Sequence, residues 1–365
     1  MMSQTQERKL WGIVLAAGEG TRVRNFLAQL CGGRGIKQFC AVIGRRSMLE
    51  HTLARVERLI PRERILIVVS TEHREEVSAQ LACWPTENVV FQPRNRDTAP
   101  GILLPLAHLS HREPFATVAI FPSDHFILAE DRFMASVRQA VAETHRFPRK
   151  LILLGMTPSG IDDGYGWIEP GEPAEGGETR SVLQFWEKPS PLQARLLLRR
   201  GALWNTFVCV SLANTLWEMS RQVVPDLYED FMHIRRALHN SHAPLVTDTV
   251  YRMIPPVNFS TAICQPLASR LRVLPVPDVG WSDWGSVERI FASLERMGKL
   301  EECLARLRRR QGNMALVLPQ LKQRSTGNNP GVPCYTHAEG VALPLEEKIR
   351  TNPRDGDTSR KARHR

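Results

Sequence analysis

The feature that most constrains this chain is an alternation within its first 155 residues. Short apolar runs rich in β-branched residues occur at 11–17, 64–70, 88–92, 116–122 and 151–155. Between them, residues 47–58, 73–82, 98–108 and 133–145 carry apolar side chains at helical spacing, with Ser47 placed as an N-cap. Near-continuous apolar strands are buried on both faces, and parallel neighbours need a crossover long enough to hold a helix. The alternation therefore predicts an α/β fold with a doubly wound, mostly parallel, Rossmann-like sheet. In such sheets the ligand lies outside the carboxyl ends of the strands.

Past residue 160 the rhythm changes. Gly164, Gly166, Gly171, Gly176 and Gly177 mark turns, strands are predicted at 181–186 and 206–210, and helices at 191–200 and 214–222. This predicts a lobe inserted in the same domain and facing the substrate. Beyond about residue 310 periodicity is lost. The expected division is a polar N-terminal tail over 1–10, one domain over 11–300, and a basic, largely disordered tail over 301–365.

Composition removes several alternatives. A chain of 365 residues that is 42% hydrophobic can bury a sizeable core, which excludes disorder throughout. No uncharged apolar run nears the roughly 20 residues of a membrane-spanning helix, and residues 1–10 lack the apolar centre of a secretory signal. The seven cysteines, at 31, 40, 83, 209, 264, 303 and 334, include no CxxC pair. They read as reduced thiols in a cytoplasmic protein. The net charge of +10 is uneven, because residues 301–365 hold thirteen Lys/Arg against seven Asp/Glu. That tail lacks interleaved aromatics, which argues against a nucleic-acid partner.

The first strand runs into Leu15-Ala16-Ala17-Gly18-Glu19-Gly20-Thr21-Arg22. Glycines after a strand allow a tight turn that aims N–H groups at an anion, and a guanidinium supplies a fork of donors suited to phosphate. A plain turn is the competing reading; Thr21-Arg22 and the nearby Lys37 favour a phosphate site. The spacing matches neither a P-loop nor a dinucleotide fingerprint. Asp124, at the end of the fourth strand, reads first as a helix cap or turn former when taken alone.

Taken together, the motifs resemble those of sugar-1-phosphate nucleotidyltransferases, in particular the mannose-1-phosphate guanylyltransferase branch. LAAGEGTR (15–22) resembles the nucleotide signature, followed in family order by KQF (37–39), RNRDTAP (94–100), PSDH (122–125), GYG (164–166), EKP (187–189), WN (204–205) and WSDWG (281–285). The resemblance covers about residues 11–290. It implies the nucleotide-diphospho-sugar transferase fold with a sugar-binding insertion, and transfer of a nucleotidyl group from a nucleoside triphosphate to a sugar 1-phosphate. The expected pair is GTP and mannose 1-phosphate, giving GDP-mannose and pyrophosphate.

The same resemblance assigns roles. Arg22 and Lys37 would bind the phosphates, and Asp124 and Asp283 would hold Mg²⁺. Leu15, Ala16, Ala17, Gly18, Gly20, Thr21, Asp97 and Thr98 would line the nucleotide, with helix capping a rival role for the last two. Gly166, Glu187, Lys188 and Asn205 would meet the sugar phosphate, an ion pair being the rival role for Glu187 and Lys188. His125 is expected to support rather than to act as a base, because a phosphate monoester is already anionic near neutral pH.

The chain departs from the branch at Ala17, Ile36, Asp97, Ser260, Gln265 and Thr206-Phe207. Ala-Ala-Gly is commoner in relatives using uridine or thymidine triphosphates, so a UTP- or dTTP-using enzyme stays open, as does a weakly catalytic paralogue that binds nucleotide sugars. The cupin domain of some bifunctional relatives is not expected after residue 300. No membrane partner is expected, and a homodimer is left open.

Overall fold

The computed structural model describes residues 8–311. In chain order its first half comprises β1 (Leu10–Ala16), α1 (Arg24–Cys31), α2 (Met48–Val56), β2 (Ile65–Ser70), α3 (Arg74–Gln80), β3 (Val89–Gln92), α4 (Thr98–Arg112), β4 (Thr117–Pro122), α5 (Glu130–Arg146) and β5 (Leu151–Met156). The second half adds β6 (Gly166–Pro173), β7 (Arg180–Glu187), α6 (Pro191–Arg199), β8 (Leu203–Leu212), α7 (Ala213–Val223), α8 (Pro225–Ala237), α9 (Ala243–Met253), β9 (Leu271–Val276), α10 (Val287–Arg296) and α11 (Leu300–Gln311).

The strands form one sheet of nine in the order β3-β2-β1-β4-β8-β5-β9-β7-β6. β3, β2, β1 and β4 are mutually parallel, as are β5 and β9. The antiparallel pairs come from the inserted lobe. β8 runs against both β4 and β5, and the β6–β7 hairpin continues the sheet from β9, with β6 also meeting the start of β8. Every residue of β2, β4 and β5 is buried, because alternate side chains enter cores on opposite faces. Ile13, Leu66 and Val68 join α4, α7 and α8 on one face, whereas Val14, Ile67 and Val69 join α2, α3 and α5 on the other. Double winding thus follows from period-two burial of continuous apolar strands.

Ser47 caps α2 as expected. Its hydroxyl accepts from the Glu50 N–H at 3.1 Å, and the Glu50 carboxylate accepts from the Ser47 N–H at 2.7 Å.

The glycines after residue 160 are not all turns. Gly166 and Gly171 lie inside β6, and the hairpin turn is at Gly176-Gly177. Two glycines, two prolines and an interrupted register hide this strand from a pattern search. The domain boundary expected at 300 also moves, since α11 continues the fold to Gln311. Cys303 and Leu307 are buried with α1 and α10 in a third core around Phe126 and Trp284. The rest of the expected tail, 312–365, lies outside the described residues, as do 1–7.

Two measurements follow. Leu307→Ala removes a buried side chain and should cost about 2–3 kcal/mol in urea unfolding; a negligible change would place α11 outside the fold. His108 on α4 is held down to about 4, chiefly by burial and then by Arg112. The unfolded chain, near pKa 6.5, takes up that proton first. Its contribution to stability is therefore full above about pH 6.5 and lost as the pH falls toward 4. His108→Gln should flatten the pH dependence of the unfolding midpoint across that window.

Candidate active site

The site is built from turns that follow the parallel strands. After β1 the chain passes through Gly18 to Gly20, whose φ of 57° is left-handed. A Cβ on Gly20 would lie 2.9 Å from Lys37 Cβ, so only glycine allows this approach. The turn is fixed by Gln38, whose amide donates to the carbonyls of Ala16 and Gly18, both at 2.8 Å.

Lys37 is 5% exposed. Its ammonium donates to Asp124 Oδ2 at 2.8 Å and also to the backbone carbonyl of Asp283. A backbone bridge sets the two acidic turns side by side: the Phe126 N–H donates to the Ser282 carbonyl at 2.8 Å, and the Ser282 N–H returns to the Phe126 carbonyl at 3.0 Å. Behind it, the Phe126 and Trp284 rings stack with centroids 5.0 Å apart.

Asp283 Oδ1 accepts from Arg289 at 2.8 Å, the Gly285 N–H at 2.9 Å and the Tyr165 hydroxyl at 3.2 Å. Its Oδ2 lies 3.9 Å from the exposed guanidinium of Arg22. Arg289 is itself anchored by both oxygens of Asp162, each at 2.5 Å, and lies over the Tyr165 ring. Burial alone would raise both carboxyls. Lys37 and then His125 at Asp124, and His125, Arg289 and Lys37 in that order at Asp283, reverse this and hold both below the usual range. His125 is held down to about 4, first by burial, and is neutral at pH 7; its Nδ1 accepts from Trp281 Nε1–H at 3.2 Å.

These carboxylates are the candidates for a metal. Among the described residues no three His, Cys, Asp or Glu side chains form a complete protein cage. Two anionic carboxylates, with Asp124 Oδ1 outside the lysine contact and Asp283 Oδ2 meeting only the exposed Arg22 guanidinium at 3.9 Å, fit the sparse protein donor set of Mg²⁺, which takes its remaining oxygens from phosphate and water.

Beside the glycine turn lies a cavity of about 400 Å³ lined by Leu15, Ala17, Gly18, Gln92, Asp97 and Thr98 among others. Ala16 does not line it, because period-two alternation turns its side chain into the opposite core. Gly20 and Thr21 sit toward Lys37 and Arg22 instead. Asp97 and Thr98 also serve local structure. Asp97 accepts from the Thr98 N–H at 2.6 Å as the cap of α4 and from Asn258 at 3.2 Å, while the Thr98 hydroxyl accepts from the Phe259 N–H at 2.8 Å.

The lobe brings a second group together. Gly166 pairs with Glu187 in the β6–β7 register, and a Cβ on Gly166 would stand 3.0 Å from Glu187 Oε2 and 3.3 Å from Asn205 Cβ. Burial raises the Glu187 carboxyl, against the opposing pull of Lys188. Lys188 pairs with Glu187 at 3.6 Å and is otherwise exposed. Asn205 spends its carbonyl oxygen on the Phe207 N–H at 3.1 Å. Sequence reading missed Gln38 as the clamp of the turn and Arg289 as the partner of Asp283. Gln38 sits inside the KQF motif, whereas nothing local distinguishes Arg289 from a surface arginine on α10.

A glycine turn after β1, two adjoining carboxylates past the ends of later strands, and cations between them meet on one edge of an α/β sheet. The chain belongs to the nucleotidyl transferase family, whose model matches residues 11–298. The mannose-1-phosphate guanylyltransferase of Escherichia coli (strain K12) is 28% identical over 289 residues, covering 77% of this chain and 59% of that protein. The alginate biosynthesis protein AlgA of Pseudomonas syringae pv. tomato is 26% identical over 288 residues, covering 77% and 58%. The chain thus spans less than two thirds of the length of these relatives. Among solved structures, the mannose-1-phosphate geranyltransferase from Thermus thermophilus superposes with a TM-score of 0.66 at 25% identity, over 78% of this chain and 79% of that one.

Removing the guanidinium in Arg289→Met would leave Asp162 and Asp283 without the cation they share. The expected loss is about 2 kcal/mol, below the range for fully buried pairs because these carboxylates are partly exposed. Asp162→Asn in the same chain should recover part of it; equal stability of Arg289→Met and wild type in urea would remove Arg289 from its positioning role.

Proposed function

We propose that this chain transfers GMP from GTP to mannose 1-phosphate, releasing pyrophosphate and forming GDP-mannose, with Mg²⁺ as cofactor. The observation that carries this is the convergence of Arg22, Lys37, Asp124 and Asp283 on one edge of the sheet, beside the cavity under the glycine turn. The names of the relatives above supply the choice of sugar and base.

In this reaction an oxygen of the sugar phosphate attacks the α-phosphorus, and the bond to the bridging oxygen of pyrophosphate breaks. No protein nucleophile is needed, and a dianionic phosphate needs no base, in keeping with a neutral His125. Catalysis is positioning plus stabilisation of charge on the phosphoryl oxygens. Arg22, exposed beside the Gly20 turn, would hold the β- and γ-phosphates and the departing pyrophosphate. The Lys37 ammonium would offset charge at the α-phosphate. Asp124 and Asp283 would hold Mg²⁺, which when bound neutralises phosphate charge and aligns the reacting oxygens. Glu187 and the Asn205 amide, closed over by the Gly166 backbone, would take sugar hydroxyls, and Lys188 the sugar phosphate.

A second reading of the base rests on the cavity. Ala17 lines it, and Gln92 Oε1 is buried at its wall with no partner among the described residues. That oxygen would accept from guanine N1–H or equally from N3–H of uracil or thymine, so a UTP- or dTTP-using enzyme is the alternative.

The test is pyrophosphate release with Mg²⁺ across four nucleoside triphosphates and several sugar 1-phosphates. GTP with mannose 1-phosphate should give the highest kcat/KM. Release only with UTP or dTTP would reassign the base, and no release with any pair would overturn transfer in favour of nucleotide-sugar binding. Asp124→Asn and Asp283→Asn should each lower kcat by about 10²-fold or more; near-full activity in both would refute the metal assignment.

A further inference from the structure

Three cysteines meet where α1, the segment after Lys37 and α11 pack together, and the proposed reaction uses none of them. Cys31, the last residue of α1, is half-buried, whereas Cys40 and Cys303 are buried. The chain brings the first two together by doubling back. Gly32, Gly33 and Gly35 have φ of 79°, 70° and 66°. Gly35 packs on the backbone of α1 so closely that a Cβ there would overlap the Arg24 carbonyl and stand 2.8 Å from the Ala28 nitrogen. The returning segment runs past the helix end, where Cys31 Sγ donates at 3.4 Å to the carbonyl of Ala41, the residue next to Cys40 in the chain.

α11 adds positive charge at this point. Arg306 donates to the carbonyls of Ala41 and Val42, both at 2.8 Å, and Arg310 lies against Gly32. The neighbouring Cys40 thiol, and then Arg306 and Arg310 acting against burial, hold the Cys31 thiol below its ordinary value, while the neighbouring Cys31 thiol and burial push Cys40 up. A half-buried thiol flanked by guanidinium groups, with a second thiol beside it in the same packed cluster, is the arrangement of an attacking and a resolving cysteine.

The geometry points to a two-cysteine oxidation site in which Cys31 reacts with hydrogen peroxide and Cys40 resolves the product as a Cys31–Cys40 disulfide. The Cys31 sulfur attacks one peroxide oxygen and the O–O bond breaks, giving a sulfenic acid and one water. The Cys40 sulfur then attacks the sulfenic sulfur; the S–S bond forms, the S–O bond breaks, and the Cys40 proton leaves with hydroxide as a second water. Two thiols give up two electrons and two protons, and one peroxide becomes two waters.

The ring so closed contains Lys37 and Gln38. Cys40 is tied to the first through its N–H, which donates to the Lys37 carbonyl at 3.1 Å. Forming the bond draws the sulfurs to about 2 Å. Cys40 lies in a loop and Cys31 in a helix, so the loop that holds Lys37 is the part that moves, disturbing the Lys37–Asp124 contact. Oxidation therefore lowers transfer.

The experiment treats the full chain with hydrogen peroxide at neutral pH, alkylates the remaining thiols and maps peptides by mass spectrometry, with pyrophosphate release followed in parallel. A Cys31–Cys40 linked peptide, lighter by the two hydrogens lost, should form before the exposed Cys83 is oxidised. Release should fall several-fold and recover with dithiothreitol. Cys31→Ser and Cys40→Ser should show neither change, and Cys303→Ser should show both. A link through Cys303, or oxidation of Cys31 no faster than of Cys83, overturns the site; equal loss of release in Cys40→Ser overturns its link to Lys37. The mass readout is independent of transfer, so failure of the proposed reaction and failure of this site are distinguishable.

Discussion

The structure around the site depends on one buried ammonium. Removing a lysine from water costs several kcal/mol unless its charge is matched. Lys37 is matched by the Asp124 carboxylate at 2.8 Å and the Asp283 carbonyl. The segment after α1, the end of β4 and the turn after β9 are thereby tied at one atom. Gln38 ties the glycine turn to the same point, and the Phe126–Ser282 bridge repeats the connection at the backbone. The rings and aliphatic chains of α1, α10 and α11 pack with Phe126 and Trp284 of this junction.

Charge at this junction is local and ordered. The chain carries +10 overall, yet what matters to a phosphate is where Arg22, Lys37, Asp124 and Asp283 stand. Arg289 fixes one face of Asp283 and leaves the other toward Arg22. Dipoles and charges held by neighbouring groups before substrate arrives need little reorganisation when charge shifts during reaction. The depressed carboxyls at Asp124 and Asp283 are the signature of that arrangement.

Much of this was legible because the informative signals are local. Continuous apolar strands marked β1 to β5, Ser47 announced α2, and Arg22, Asp124 and Asp283 each stand in a turn punctuated by glycine, proline or tryptophan. What stayed hidden is set by distant partners or broken periodicity. β6 has glycine and proline where a strand normally shows β-branched residues. α11 looked like the start of a basic tail because its buried face is narrow, with Cys303 and Leu307 set among arginines. Arg289 acquires its role only through Asp162 and Asp283, and Ala16 leaves the cavity side because strand alternation overrides membership of a motif.

The Phe126–Ser282 bridge has a consequence for how the molecule is assembled. Asp124 and Lys37 belong to the first half of the chain, whereas Asp283 arrives only after the whole inserted lobe and β9 have been laid down. A chain that has folded its parallel strands but not docked the 281–285 turn holds one carboxylate and an ammonium with half its partners. Such long-range closure is slow relative to local contacts. The second carboxylate thus acts as a completion mark: the paired carboxylates around Lys37 come into being only in a chain whose 281–285 turn is already docked on the end of β4.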